Sequence, residues 1–137
     1  MPSHPIDTIE RLRDAMNRHD LDAFVACFAP DYRSEQPNHP NRAFSGSHQV
    51  RRNWSTMFES MPDFRAELLR AAEHGDTVWS EWHWYGTLRD GTPKEIGGVI
   101  LAGIQNDRIA WGRLYTEDIE TGGGDIDAAM DRFRRPG

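Results

Sequence analysis

Midway along the chain the spacing of apolar residues changes, and that change decides which class of fold the sequence can adopt. Up to about residue 62 the apolar positions recur every three or four residues, and from about 64 to 118 they alternate. A period of 3.6 belongs to helices with one buried stripe, and a period of two to strands with one buried face. Helices first and strands afterwards predict an α+β fold, its helices segregated from an antiparallel sheet.

The punctuation fits that division. Ile6, Ile9, Leu12 and Met16 form one stripe and predict a helix over about 5–18, with Ser3 as its cap and Pro5 in its first turn. Asp20 caps a second, short helix with Leu21, Phe24, Val25 and Phe28 on one face, and Pro30 ends it. Residues 31–44 begin as a short strand and become a Pro/Asn-rich loop. Ser45-Gly46-Ser47 opens a third helix, striped by Val50, Trp54, Met57 and Phe58 and closed by Pro62-Asp63. Strands over 64–74, 77–87, 95–105 and 108–118 follow as a meander. They are divided by His74-Gly75-Asp76, by Asp90-Gly91 and by Asn106-Asp107. Gly97-Gly98 inside a strand predicts a bulge or bend that curves the sheet.

A chain of 137 residues without internal repeat or low-complexity linker predicts one domain over 1–137. Its core is expected over about 5–118, with 119–137 a glycine-rich loop and a weak terminal helix. A formal charge of −6 argues against a nucleic-acid partner, and Arg132, Arg134 and Arg135 read as a solvated end. The single Cys27 excludes an internal disulfide, suits a reducing compartment, and reads as a small buried hydrophobe. No signal-peptide pattern opens the chain, and no stretch approaches the roughly 18–20 apolar residues that span a bilayer. A soluble, cytoplasmic protein without a membrane partner is the expectation.

Three stretches carry a family resemblance: FAPDYRSEQP after the first helical pair, FSGSHQVRRNW opening the third helix, and RIAWGRLYTED as the last strand. Over about residues 5–118 the layout resembles the nuclear transport factor 2-like cone fold, and in particular its SnoaL-like, polyketide cyclase-like branch. The resemblance implies a cone-shaped α+β barrel around one internal pocket. It also implies an acidic residue ending the closing strand, which is Glu117 here where Asp is more usual. That superfamily holds isomerases, cyclases, hydratases, epoxide hydrolases and non-catalytic binders. Resemblance to ketosteroid isomerase implies that a base can come from the first strand, where Glu35 is available.

Alternation divides each strand between two faces. Over 77–87 one face carries Val78, Ser80, Trp82 and Trp84, and the other Trp79, Glu81, His83 and Tyr85. Over 108–118 one carries Ala110, Gly112, Leu114 and Thr116, and the other Trp111, Arg113, Tyr115 and Glu117. The faces that mix aromatic with ionisable groups suit a pocket wall, although alternation alone leaves the inward face open. On that reading Glu117 and Glu81 are the candidate general bases, since a carboxylate among aromatic rings loses hydration and gains basicity. Arg113 pairs with one of them or binds an oxyanion, and Tyr115 donates a hydrogen bond to developing negative charge. A structural Glu81–Arg113 ion pair stands beside that reading, as does Glu117 as plain rim. His83, set between Trp82 and Trp84 in the sequence, is an acid–base partner or, on general grounds, a hydrogen-bonded wall residue, and Trp79 and Trp111 are further candidate ligand-binding residues. Tyr32, Glu35, Gln36 and His39 border the pocket mouth, and Trp54 is a core plug or a lid.

The six histidines show neither HxH nor HExxH spacing, and no phosphate- or dinucleotide-binding glycine motif is present, so no metal and no cofactor are expected. Two functions remain. One is a cofactor-independent isomerase, cyclase or hydratase acting on an apolar, oxygen-bearing small molecule. The other is a non-catalytic ligand-binding or assembly module. Either is expected as a homodimer that covers the convex face of the sheet, on which Trp82 and Trp84 are placed.

Overall fold

The computed structural model describes residues 3–134. Helix α1 spans Pro5–Arg18, α2 Leu21–Ala26, α3 Ser47–Ser60 and α4 Ile126–Arg134. The strands are β1 (Phe28–Glu35), β2 (Phe44–Ser45), β3 (Arg65–His74), β4 (Thr77–Thr87), β5 (Pro93–Gln105) and β6 (Arg108–Asp118). They form one curved, open sheet in the order β2-β1-β6-β5-β4-β3. The class is α+β, the cone-like arrangement anticipated above. The meander β3 to β6 is antiparallel throughout, whereas β1 lies parallel beside β6. No helix of the described residues is long and apolar enough to cross a membrane.

Local chemistry accounts for most boundaries. At the start of α1 the cap is His4 rather than Ser3. The His4 N–H donates to Asp7 Oδ2 (2.9 Å), and the Asp7 N–H returns a bond to the His4 carbonyl (2.9 Å). Ser3 instead donates to Asp107 in the β5–β6 turn. Asp20 caps α2 by accepting from the Ala23 N–H at 3.0 Å. Pro30 does not end that helix, which closes at Ala26. It sits inside β1, where the register against β6 is interrupted between Phe28 and Arg33, so its missing N–H breaks no regular ladder. Asn106 and Asp107 both take positive φ (52° and 59°), as a tight hairpin turn requires.

The break in the β5–β6 ladder lies between Gly103 and Ile104 and not at Gly97-Gly98, whose pairing is continuous. Gly98 answers a different need: its φ is 144°, and a Cβ there would lie 2.1 Å from the Tyr115 carbonyl oxygen.

Helix α1 is tied to the sheet through Asn17, whose side chain donates to the Ala66 carbonyl (3.0 Å) and accepts from the Ala66 N–H (2.8 Å). The core lies between the concave face of the sheet and helices α1 to α3. Trp54 of α3 is its aromatic hub, with ring centroids 4.5 Å from Phe24, 5.3 Å from Trp84 and 5.6 Å from Phe64. By contrast α4 buries none of its residues. Arg132 and Arg134 lie on it, while Arg135 falls outside the described residues.

Candidate functional site

The concave face of the sheet and the three N-terminal helices enclose a cavity of about 450 Å³. Its walls are apolar: Leu12 and Met16 from α1, Trp54 and Met57 from α3, and Trp84 and Ile100 from the sheet are representative. A site of that size, mostly apolar with a few polar groups, has the character of a small-molecule pocket.

The inward faces are Val78, Ser80, Trp82 and Trp84 of β4 and Gly112, Leu114 and Thr116 of β6. This corrects both the expected wall and the placing of Trp82 and Trp84 on the convex face. Trp82 is 1% exposed, and its indole N–H donates to Ser80 Oγ (2.8 Å), which in turn donates to the Ile100 carbonyl (3.0 Å). The Trp82 ring therefore goes inside with its donor satisfied, whereas the buried Trp84 indole nitrogen has no hydrogen-bond partner among the described residues. Glu81 and His83, which would lose hydration there, go outside.

Trp79, Glu81, His83, Trp111, Arg113 and Tyr115 accordingly lie on the outer face, away from the cavity. The anticipated Glu81–Arg113 pair does not form, because β5 lies between β4 and β6. Glu81 instead meets Arg70 at 3.0 Å. Arg113 reaches Glu35 of β1 at 3.3 Å and the Tyr115 hydroxyl at 3.3 Å, and these two contacts hold its guanidinium more firmly protonated than usual. His83 stands between Glu67 (3.9 Å) and Glu95 (3.8 Å) with its ring near Tyr85. Trp111 folds over Gly103, where a Cβ would collide with its indole nitrogen.

Tyr32, Gln36, Trp54 and Glu117 do line the cavity. Tyr32 is buried, and the loss of hydration holds its phenol in the protonated form, opposed by a hydrogen bond with the Ser34 hydroxyl. Gly112 makes room for it: a Cβ there would lie 2.5 Å from the Tyr32 hydroxyl oxygen. Glu117 sits at the other end of β6, on the cavity's lip. Its carboxylate meets His39 Nε2 at 2.5 Å, and both side chains are part exposed. With Glu117 ionised, Nε2 is the donor in that bond. Gly112 and Glu117 are five strand positions apart, so their backbones are separated by roughly 16 Å along β6. The Tyr32 hydroxyl lies beside the first of these positions and the charged lip at the second.

A family model described as the SnoaL-like domain matches residues 9–120. The chain belongs to the SnoaL-like domain family. No curated protein matches it. Among solved structures, a loop-truncation variant of IdmH is 24% identical, with 84% of this chain and 92% of that one covered at a TM-score of 0.68. Rv0760c from Mycobacterium tuberculosis, in complex with estradiol-17β-hemisuccinate, is 15% identical, with 82% and 94% covered at 0.71. An LEH-like epoxide hydrolase from M. tuberculosis is 17% identical, with 82% of each chain covered, also at 0.71. At such identities the likeness shows the fold alone.

Six polar residues of this SnoaL-like domain line the cavity and are not among the site residues that the sequence predicts: Ser34, Arg42, Asn53, Lys94, Thr116 and Asp118. Lys94 and Asp118 pair at 3.0 Å across the ends of β5 and β6. Asp118 shares the inward alternation of Thr116, so period two alone was signal enough to find it. Arg42 had no such signal. It stands on a short 3-10 turn (Pro40–Arg42) in the Pro/Asn-rich loop, where periodicity is silent. Among the described residues no group of three His, Cys, Asp or Glu side chains is placed to hold a metal ion.

Proposed function

We propose that this SnoaL-like protein binds an elongated, largely apolar small molecule in its cavity and acts on it by proton transfer, with Glu117 as the base. The observation that carries this reading is the Glu117 carboxylate on the lip of an apolar cavity, held by His39. His39 holds one oxygen of the carboxylate and leaves the other without a side-chain partner among the described residues, and general-base work on a molecule at the cavity mouth would use that free oxygen. A proton removed beside a carbonyl and returned at another carbon gives isomerisation. The same carbanion attacking a second carbonyl carbon of the molecule forms a carbon–carbon bond as that C=O π pair moves to oxygen, which takes the proton back from Glu117, and this gives cyclisation. Tyr32, beside a β6 position roughly 16 Å from that of Glu117 by strand spacing, fixes the far end of the substrate and does not serve the reacting atoms. The estradiol-17β-hemisuccinate in complex with Rv0760c, an elongated molecule with an apolar steroid body, supports the substrate class.

Glu117→Gln tests the role, because it keeps an acceptor for His39 and removes the base. On a substrate found by screening ketones, lactones and epoxides, kcat is expected to fall about 100-fold or more with binding retained. Unchanged turnover would remove Glu117 from the mechanism. If ligands bind but the screen yields no turnover, the non-catalytic binding module becomes the better account.

We further propose that the outer face of the sheet pairs with a second copy of the chain. The support is apolar area on a sheet face that no helix covers: Trp79 is 50% exposed and Tyr115 37%. Sedimentation at micromolar concentration is expected to give a dimer mass, and a monomer mass would overturn the pairing.

A further inference from the structure

We propose that the molecule bound in the cavity carries an anionic group, a carboxylate in the plainest case, which Arg42 holds at the mouth while the apolar body lies between Trp54 and Trp84. The inference rests on the cavity being the binding site, as proposed above, and it adds the charge of the ligand and its orientation.

It follows from the pairing of the charges around the opening. Four charged side chains line the cavity: Arg42, Lys94, Glu117 and Asp118. Lys94 and Asp118 satisfy one another at 3.0 Å, and Glu117 is engaged by His39 at 2.5 Å. Arg42 is the charged lining residue left over. Its guanidinium makes one side-chain hydrogen bond, from Nη1 to Gln36 Oε1 at 3.1 Å, and forms no ion pair among the described residues. Gln36 is neutral and uses one of the five guanidinium N–H groups, so donors and the full charge remain for a ligand.

The turn that carries the group is held in place. The Arg42 N–H donates to the His39 carbonyl at 2.9 Å and the Ala43 N–H to the Pro40 carbonyl at 3.3 Å, which fixes the backbone of the turn carrying both His39 and Arg42, while the exposed guanidinium is steadied by Gln36 alone. A planar fork on a fixed turn beside the cavity matches a carboxylate, which takes two parallel N–H bonds. The end at Tyr32 offers no counter-charge, since the Tyr32 phenol and the neighbouring Ser34 hydroxyl are neutral. An amphiphilic acid therefore enters with its apolar end first and its charge at the lip.

The probes are 1-naphthaleneacetic acid and 1-naphthaleneacetamide, which share shape and apolar body and differ in charge. Binding is read by quenching of tryptophan emission, since Trp54, Trp82 and Trp84 line the cavity, and by calorimetry. The wild-type protein is expected to bind the acid about ten-fold more tightly than the amide at low ionic strength. In Arg42→Gln the acid should fall to the level of the amide while amide binding stays within two-fold, and Arg42→Lys should keep part of the preference. Equal binding of acid and amide by the wild type, or a preference that survives in Arg42→Gln, overturns the anion assignment and leaves the cavity reading standing. If neither probe binds, the cavity reading fails and this proposal with it.

Discussion

Along β4, Val78, Ser80, Trp82 and Trp84 turn into the cone, while Trp79, Glu81, His83 and Tyr85 turn outward beside them. Both sets contain tryptophan and at least one polar side chain, yet their environments differ. Inside, the Trp82 N–H has a dedicated acceptor in Ser80, and no charged side chain of β4 is buried. Outside, Glu81 pairs with Arg70 and His83 stands between two glutamates, all in reach of water. The lesson is that aromatic content does not mark the inner face of a cone. Having no unhydrated charge does, because an indole with its one donor satisfied costs little to bury and a carboxylate costs several kcal/mol.

The contrast can be broken most forcibly at one tryptophan from each face. Trp82→Ala is expected to lose about 3–5 kcal/mol of stability in denaturant unfolding, and Trp79→Ala to change the stability of the monomer by no more than about 0.5 kcal/mol. A comparable loss from both would mean that the outer ring is buried in solution, which is what pairing of two copies through that face entails. A finer cut lies one residue pair away. Ser80→Ala strands the buried Trp82 donor and should cost about 1–3 kcal/mol. Glu81→Gln removes half of an exposed ion pair and should cost between about 0 and 1 kcal/mol, less at high salt. If Ser80→Ala proved neutral, the hydroxyl would have no part in making the indole fit to bury.

How far the sequence anticipated the molecule follows from the same distinction. The stripe from Ile6 to Met16, the caps and turns at Asp20, Asp90-Gly91 and Asn106-Asp107, and the meander itself were legible, because each rests on local periodicity or turn chemistry. Period two sorts β4 and the middle of β6 into two faces. It fails at the ends of β6, where Ala110 lies with Trp111 away from the cavity and Glu117 lines it beside Thr116 and Asp118. It also carries no sign saying which face is inner, and placing Glu81, His83, Arg113 and Tyr115 in the cavity rests on that missing sign. The expected Glu81–Arg113 pair ignored β5, a fact of topology that the meander already contained. The parallel pairing of β1 with β6 joins residues 78 apart, such as Glu35 and Arg113, and no local pattern announces it. His39 and Arg42 belong with that class: their positions come from a loop folded back against the far end of the chain.

That long-range seam governs more than geometry. Hairpins and helices close over short loops and form early, whereas joining β1 to β6 means closing a loop of most of the chain. Tyr32, Ser34 and Gln36 stand on one side of the seam, and Gly112, Thr116 and Glu117 on the other. Neither side of the seam forms the receptacle alone, so competence to bind requires this long-range closure, and recovery of ligand binding on refolding is expected to lag behind recovery of the sheet signal. The same holds in reverse, since a partial opening at this seam would release the ligand long before the meander came apart.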